Sequence, residues 1–156
     1  MNLMAIDPGG TTGWSTWTYD ATTPLLPVEH GMIPGGLAGF IRWWDTSWPA
    51  QHFRTYGGEM VAEDFILDGR TAQPDTTALE ILGALELLAH QRAFLLRRPR
   101  NVMKAHVPDS VLKHHDLWWP GAGHDRDSAK HALADAKISR HGPTIARYWG
   151  RRKEVA

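Results

Sequence analysis

The order of strand-like and helix-like segments constrains the fold more than any other feature of the sequence. The chain opens with a short apolar run, LMAI, which is followed by an acid, Asp7, and a GGTTG turn. The next segment, GWSTWTYD, alternates as a half-buried strand does, so the opening predicts two strands joined by a tight turn. A weaker third strand, EHGMIP, and a helix over GGLAGFIRWWDTSW follow.

Strands and helices alternate through the rest of the chain. The predicted elements are a buried strand in EMVAEDFIL, a helix over residues 76–98, a strand in NVMKAHV, a short helix in PDSVLKHH and a last helix over residues 124–141. This order predicts an α/β fold with a central mixed sheet of five strands and helices on both faces. The first three strands are expected to form an antiparallel meander. In such sheets, functional groups gather beyond the carboxyl ends of the strands.

Composition limits the chemistry that the chain can carry. The 156 residues include no cysteine, so any metal must be bound by carboxylate or imidazole groups. No apolar run approaches the roughly 18 residues of a membrane span, and the N-terminus lacks the basic region of a signal peptide. We therefore expect one cytoplasmic domain over residues 1–156, with a basic C-terminal tail at about 142–156.

The charges are segregated along the chain although they balance overall. Residues 1–91 contain 3 Lys/Arg and 11 Asp/Glu, whereas residues 92–156 contain 14 Lys/Arg and 6 Asp/Glu, so the two parts carry formal charges of −8 and +8. The basic part also holds six of the nine histidines. This asymmetry indicates contact with a polyanion through the basic part and cation binding by the acidic part. A solvated basic surface is the alternative.

Three acids and a histidine from distant segments could converge on one site. Asp7 follows the first strand, and Glu63 lies in the apolar run EMVAEDFIL. His124 and Asp127 share one face of the last helix because they are three residues apart. Neighbouring carboxylates repel one another, and Mg²⁺ or Mn²⁺ relieves that repulsion. Two such ions about 3.5 to 4 Å apart activate water and stabilise the leaving oxygen in many nucleases, so the pattern points to phosphodiester cleavage.

Several of these acidic and histidine residues also have a purely structural interpretation. Asp7 could shape a turn, and Glu63 could pair with an arginine or lie at an edge. Asp64 points away from Glu63 in a regular strand, so we interpret it as solvated or as a group next to the metal site. Asp125 and His131 are interpreted as parts of a solvated helix face.

Read in order, these motifs resemble the RuvC family of Holliday junction resolvases, and particularly its phage-encoded relatives. The matching segments are MAIDPGGTTGWS with Asp7, MVAEDF with Glu63, LEILGALELLA with Gly83, HVPDSVLK with Pro108, Ser110 and Lys113, and HDRDSAKHALADA with His124 and Asp127. The resemblance implies a ribonuclease H-like fold, a homodimer, and Mg²⁺- or Mn²⁺-dependent, two-metal incision of four-way or other branched DNA. The expected products carry a 5'-phosphate and a 3'-hydroxyl.

The resemblance also assigns roles to residues of this chain. The implied catalytic and metal-binding residues are Asp7, Glu63, His124 and Asp127. The implied DNA-binding residues are Lys104, Lys113, Arg126 and Lys130, and the auxiliary candidates are Asp64, Asp125 and His131. Many family members have two acids on the last helix, so His124 could bind metal or transfer protons here. An alternative register puts His131 in the ligand position, but we favour Asp127 over either histidine.

Two further expectations concern DNA and a partner subunit. The helix over residues 77–98 is apolar on more than one face, and we place the interface of the homodimer there. The aromatic residue that opens the junction in the family has no clear counterpart in this sequence. Its candidates are Tyr56, Phe65 and Trp118.

Three other functions fit parts of the sequence. A junction-binding module without turnover fits the histidine on the last helix. A nuclease that acts on RNA:DNA hybrids fits the same fold and mechanism. An actin-like ATPase would use DPGGTTG to hold phosphate and Mg²⁺, although such proteins usually need two domains of this kind.

Overall fold

Five strands form a single mixed sheet. This is a computed structural model, and it describes residues 2–65 and 76–150. The strands are β1 (Asn2–Asp7), β2 (Thr11–Thr18), β3 (Leu26–Pro34), β4 (Glu59–Ala62) and β5 (Leu95–Arg97). Their order in the sheet is β3-β2-β1-β4-β5. The first three strands are antiparallel, and β4 is parallel to both β1 and β5, so the predicted mixed sheet and antiparallel opening are confirmed.

Helices cover both faces of this sheet, as predicted. They are α1 (Gly36–Thr46), α2 (Trp48–Tyr56), α3 (Thr77–Arg92), α4 (Asp109–His114), α5 (His124–Ile138) and α6 (Gly142–Trp149). The residues Asn101–His106 form a 3-10 helix. Helices α1, α2 and α3 share one core with the sheet, and α4, α5 and α6 share the other. Within the described ranges, no helix combines the length and the apolar character needed to cross a membrane.

Strand β1 lies at the centre of the sheet and contributes to both cores. Leu3 and Ala5 face the core that contains α5, whereas Met4 and Ile6 face the core that contains α1 to α3. Successive side chains of a strand point to opposite faces, so a continuous apolar run is typical of a strand buried on both faces. The next residue, Asp7, therefore lies at the carboxyl end of the central strand.

The approach of α5 to the sheet depends on a glycine in β2. Gly13 pairs with Asp7 across the two strands. A methyl group on Gly13 would lie 1.9 Å from the carbonyl oxygen of His124, the first residue of α5. The absence of a side chain at Gly13 thus leaves room for the first turn of α5 beside Asp7.

Two predictions of secondary structure are wrong between residues 92 and 107. The helix expected over residues 76–98 ends at Arg92, and Leu95–Arg97 form β5. Ala93 has a left-handed backbone conformation with φ of 55°, which ends the helix and turns the chain toward the sheet. The segment NVMKAHV, expected to be a strand, is instead mostly a 3-10 helix, and the strand that pairs with β4 is Leu95–Arg97.

Two helices were not expected from the sequence. Helix α2 begins after Ser47, whose hydroxyl accepts a hydrogen bond from the Ala50 N–H. Helix α6 lies within the segment expected to be a basic tail, and the Tyr148 hydroxyl anchors it by donating to the Leu25 carbonyl oxygen at 2.8 Å. The last part of the expected tail, residues 151–156, lies outside the described residues.

Candidate metal centre

The parallel pairing of β1 and β4 brings Asp7 and Glu63 together. Ile6 pairs with Ala62, the last residue of β4. The next residue of each segment is an acid, and the Glu63 N–H donates to the Ile6 carbonyl oxygen at 3.3 Å. Parallel strands present their carboxyl ends at the same edge of a sheet, so the two carboxylates lie side by side there.

The turn after Asp7 is held by its own hydrogen bonds. The Thr12 hydroxyl donates to the Gly9 carbonyl oxygen at 3.1 Å, and the Gly9 N–H donates to Thr12 Oγ1 at 3.4 Å. Asp7 is only 7% exposed, and its carboxylate contacts side chains from distant segments. The role of a simple turn residue therefore does not account for the Asp7 side chain.

His131 completes a group of three possible metal ligands. The residue is fully buried on α5, and its Nε2 lies 3.3 Å from Asp7 Oδ1 and 3.2 Å from Glu63 Oε2. One ligand atom from each of the three residues lies within 4.8 Å of the others. The Nδ1 atom of the same ring is buried and has no hydrogen-bond partner in the described part of the chain. The expectation that His131 is solvated is therefore wrong.

The ammonium group of Lys104 lies among the carboxylates. Its Nζ is 2.8 Å from Glu63 Oε2, 3.1 Å from Asp7 Oδ1 and 3.5 Å from Asp127 Oδ2. Lys104 was expected to contact DNA, and the structure places it inside the acidic cluster. A positive charge thus sits where three acids converge, as a bound cation would.

Burial and charge act in opposite directions on these groups. Burial alone would raise the pKa of Asp7, but the hydrogen bond with His131 and the charge of Lys104 hold that pKa below its ordinary value. Burial would lower the pKa of His131, but hydrogen bonds with Asp7 and Glu63 raise it. Burial would also lower the pKa of Lys104, and the nearby carboxylates raise it above its usual range. These contacts therefore stabilise the charged forms of Asp7, His131 and Lys104.

Asp127 and His124 border the cluster on its solvent side. The Asp127 carboxylate contacts Lys104 at 3.5 Å and Lys130 at 3.4 Å, and it is partly exposed. His124 Nδ1 lies 3.5 Å from Asp7 Oδ2, and the ring is accessible to solvent. Both side chains can therefore reach a substrate that enters the cluster.

One face of α5 supplies three of the residues around the cluster. His124, Asp127 and His131 are spaced by three and by four residues, so they lie on the same side of the helix. Of these, His131 contacts Asp7 and Glu63 directly, whereas Asp127 reaches them through the intervening ammonium group. The spacing was visible in the sequence, but the burial of His131 follows from the packing of α5 across β1.

Two auxiliary candidates lie outside the group of possible ligands. Asp125 is buried and contacts His30 Nδ1 at 2.9 Å, so the expectation that it is solvated is also wrong. The Asp64 side chain pairs with Arg98, and its N–H donates to the Pro99 carbonyl oxygen at 2.8 Å. Neither carboxylate belongs to the group of possible metal ligands.

A cavity of about 220 Å³ opens next to the cluster. Its walls include Trp118, His124, Arg126, Asp127 and Lys130. Two of the residues implied in DNA binding, Arg126 and Lys130, thus lie at one opening beside the acids. Lys130 is also paired with Asp109 at 2.8 Å.

The three aromatic candidates lie in different places. Trp118 lines the cavity and is 38% exposed. Tyr56 is exposed at the end of α2, and Phe65 is partly exposed beyond β4. Trp118 is therefore the candidate that borders the cluster together with Asp127.

The fold is similar to that of solved RuvC structures. One is Thermus thermophilus RuvC in complex with a Holliday junction substrate, with a TM-score of 0.69 and 16% sequence identity. Another is a Thermus thermophilus RuvC structure, with a TM-score of 0.68 and 15% identity. Each match covers 92% of this chain and 98% of the RuvC chain. No protein-family model and no curated protein matches the sequence.

The protein therefore has a RuvC-like form of the ribonuclease H-like fold, as the sequence motifs implied. The opening of three antiparallel strands, the parallel β4 and β5 and the helices on both faces all agree with that fold class. The low sequence identity limits this likeness to the fold.

Proposed function

We propose that the protein is a metal-dependent endonuclease that cleaves four-way or other branched DNA. The observation that supports this most is the buried group of Asp7, Glu63 and His131 at the carboxyl ends of β1 and β4. Acids held so close together need a cation to stay ionised. A protein with a similar fold was solved in complex with a Holliday junction substrate, which supports branched DNA as the substrate.

The three ligand residues suit a divalent cation. They offer carboxylate oxygens and one imidazole nitrogen within 4.8 Å of one another. Because metal ions bind neutral imidazole, a bound ion would displace the proton that the two acids favour on His131, and it would replace the charge that Lys104 now places against both acids. Carboxylates suit Mg²⁺ and Mn²⁺, and imidazole suits transition metals better than Mg²⁺, so Mn²⁺ fits this set at least as well as Mg²⁺. One or two such ions would supply the charge that activates water and stabilises the phosphate oxygens.

The side chains around the ligands have separate tasks in this proposal. Lys104 moves from the carboxylates to a phosphate oxygen of the DNA, where its charge is still neutralised. His124 is accessible and lies 3.5 Å from Asp7, so it can accept a proton from the attacking water. Asp127 faces the same opening and can complete the ligand set. The expected products carry a 5'-phosphate and a 3'-hydroxyl.

Cleavage of a panel of synthetic nucleic acids tests the proposal. The panel contains a four-way junction, a fork, a linear duplex and an RNA:DNA hybrid, each with Mg²⁺, Mn²⁺ or EDTA. We expect the four-way junction to be cut with Mn²⁺ or Mg²⁺ and to remain intact with EDTA. Cleavage of the hybrid in preference to the junction would instead identify a hybrid-specific nuclease.

A substitution of Asp7 tests the mechanism. Asp7→Asn removes the charge of one ligand, so we expect cleavage to slow by at least about 100-fold. Asp45→Asn is the matched control, because this acid lies on α1 and its side chain is exposed. Unchanged cleavage by Asp7→Asn, or cleavage with EDTA, would contradict the proposed mechanism.

A junction-binding module without turnover is the second candidate. The position of Lys104 favours it, because the ammonium group already neutralises Asp7 and Glu63 without a metal. Such a module would bind four-way junctions equally well with Mn²⁺ and with EDTA, and it would release no product. Calorimetric titration with Mn²⁺ separates the two candidates. The nuclease requires that Mn²⁺ binds and that Asp7→Asn weakens this binding, whereas the module without turnover requires neither.

A further inference from the structure

The first turn of α5 depends on a buried acid, Asp125. This residue is 2% exposed, and one oxygen of its carboxylate accepts a hydrogen bond from the Arg126 N–H at 2.9 Å. The residue before the helix, Gly123, offers no side-chain cap. The Asp125 carboxylate therefore takes over part of the capping of α5, where the positive end of the helix favours an acid.

His30 on the edge strand β3 is the partner of this acid. Its Nδ1 donates to the other carboxylate oxygen, Asp125 Oδ2, at 2.9 Å, and no other cation within the described ranges pairs with Asp125. A buried carboxylate without a partner is costly, so the hydrogen bond from His30 fixes where Asp125 lies. Because Asp125 directly follows His124, this contact also constrains the residue that lies beside Asp7.

Stacking on an indole ring fixes the orientation of the His30 ring. The ring lies nearly parallel to that of Trp119, with centroids 3.8 Å apart and an angle of 3° between the planes. Arg126 donates to the Trp119 carbonyl oxygen at 3.1 Å, so the segment that carries Trp119 is tied back to α5. His30, Trp119 and the first turn of α5 thus form one connected unit.

Two buried hydroxyl groups hold the same turn against β2. The Ser128 hydroxyl donates to the Asp125 carbonyl oxygen at 2.7 Å, and its oxygen lies 2.9 Å from the Ser15 hydroxyl oxygen. The backbone of Asp125 is therefore linked to β2, and its side chain is linked to β3. With both links in place, the start of α5 has little freedom to shift along the sheet.

We propose that His30 is a positioning residue, which holds the first turn of α5 through Asp125 and so keeps His124 within reach of the water that attacks the phosphate. This inference rests on the proposed function, in which His124 accepts a proton from that water. His30 acts on the rate of cleavage more than on DNA binding, because a small displacement of a proton acceptor slows the reaction without removing a contact to DNA.

Two substitutions of His30 separate its hydrogen bond from its ring contact. His30→Phe keeps a ring to stack on Trp119 but leaves Asp125 without a donor, whereas His30→Asn keeps a donor near the position of Nδ1 but loses the ring. At a temperature where circular dichroism shows both variants folded, we expect single-turnover cleavage of a four-way junction with Mn²⁺ to slow at least about tenfold in His30→Phe and less than about threefold in His30→Asn. Junction binding in EDTA should change less than about twofold in both.

His52→Phe is the matched control. His52 lies on α2 and also contacts aromatic rings, those of Trp48 and Tyr56, with centroids 5.6 and 4.6 Å away. In the described part of the chain it has no acid as a partner. Its replacement should leave both cleavage and binding unchanged, so the same change of residue type is compared with and without a buried acid beside it.

The effect of His30→Phe should depend on His124. In a His124→Ala background the positioned group is absent, so His30→Phe should slow the remaining cleavage less than about twofold. The inference would be overturned, and the proposed function would stand, if His30→Phe cut junctions as fast as His52→Phe or if its binding fell in parallel with its cleavage. An equal slowing with and without His124 would overturn it as well.

Amide hydrogen exchange measures the position of the turn without any cleavage. The N–H groups of Arg126 and Asp127 should exchange at least about tenfold faster in His30→Phe than in the wild type, and those of α6 should not change. Unchanged exchange in a protein that cuts junctions would overturn the inference alone. If the wild-type protein cut no junction with Mn²⁺ or Mg²⁺, the proposed function would be overturned and the role of His30 in cleavage with it.

Discussion

The charge of the Asp7 carboxylate depends on cations from two other segments. Lys104 and His131 are 97 and 124 positions away in the chain, and both contact Asp7 Oδ1. Burial favours the neutral acid, but these contacts hold the pKa of Asp7 below its ordinary value. The acid is thus kept ionised, which is the form that binds a metal.

Arg97 joins two acids at the opposite end of β4. Its guanidinium group contacts Glu59 at 2.8 Å and Asp135 at 2.7 Å, and the Tyr19 hydroxyl donates to Glu59 at 2.6 Å. Burial would raise the pKa of Glu59, but the hydrogen bonds from Arg97 and Tyr19 hold it below its ordinary value. Burial raises the pKa of Asp135 in spite of its contact with Arg97. Removal of the arginine would leave both acids without their shared cation.

Arg97→Met should therefore lower the free energy of unfolding by about 1 to 3 kcal/mol at neutral pH. The lowered pKa of Glu59 means that its pairing stabilises the fold above the ordinary value of 4.5 and is lost as the pH falls through the folded-state pKa. The difference between wild type and variant should thus shrink below about pH 4.5. Urea unfolding of the wild type and of Arg97→Met at neutral and acidic pH measures this difference in the free energy of unfolding.

Arg54→Met is the control for this comparison. Arg54 pairs with an exposed acid, Asp45, at 3.6 Å, and such pairs contribute little to stability. Its replacement should change the free energy of unfolding much less than that of Arg97. A loss of stability in Arg97→Met that did not vary with pH would show that packing of the side chain, and not the ion pairs, is what the substitution removes.

At the scale of elements, the contact between β2 and α5 places His124 beside Asp7. A methyl group on Gly13 would lie 1.9 Å from the His124 carbonyl oxygen and 2.7 Å from the Asp125 nitrogen, so the first turn of α5 would have to move. We expect Gly13→Ala to lower the free energy of unfolding by about 1 to 3 kcal/mol. The displaced His124 should also reduce DNA cleavage in protein that remains folded.

Gly10→Ala is the matched control for this prediction. Gly10 lies in the turn between β1 and β2, and a methyl group there would meet nothing within 4 Å. Thermal unfolding of both variants beside the wild type measures the effect. If Gly13→Ala melted at the same temperature as Gly10→Ala, the close approach of α5 would not be needed for stability.

The elements that could be predicted from the sequence are those whose burial follows a regular pattern. Strand β1 is an apolar run with a turn signal behind it, and its end at Asp7 was visible for that reason. By contrast, Leu95–Arg97 continue an apolar helical pattern, and their pairing with β4 overrides that local preference. Where the end of an element depends on a partner elsewhere in the chain, the local sequence does not predict it.

The candidate site also contains residues that could be recognised in the sequence and residues that could not. Asp7 and Glu63 could be recognised because acids stand out beside apolar strands. His131 was interpreted as part of a solvated helix face, as the acids and histidines of a helix usually are, and only the packing of α5 across the sheet buries it. The place of Lys104 in the cluster depends on how the chain returns from β5, which no local pattern specifies.

At the scale of the whole molecule, the acidic and basic parts of the sequence neutralise each other in part. The pairs are Arg97 with Glu59, Arg98 with Asp64 and Glu86, and Lys104 with Asp7 and Glu63. Less positive charge is therefore available to DNA than the sequence suggests. Lys113 and Arg126, which lie against the Trp118 ring, form no ion pair with a described residue, so they are among the cations that remain available to a phosphate backbone.

Two symmetrical cuts in a four-way junction need two active sites, which a twofold dimer provides. Leu87 on α3 and Leu95 on β5 are exposed apolar residues, and the two elements are in contact. Gly83, one turn before Leu87, leaves open space above the helix, because a methyl group there would meet nothing within 4 Å. We propose that this face, formed by α3 and β5, is where two copies of the chain meet.

Leu87→Glu should therefore shift a wild-type dimer toward monomer at micromolar concentration, because a buried unpaired carboxylate opposes association. Sedimentation velocity measures the change. Val28→Glu is the control, since Val28 is 62% exposed on β3 and lies outside the proposed interface. A monomeric Leu87→Glu variant should still bind metal but should cut the two strands of a junction independently, so that nicked product accumulates. If the wild type were a monomer, or if Leu87→Glu left the dimer intact, the face formed by α3 and β5 would not be the interface between two copies of the chain.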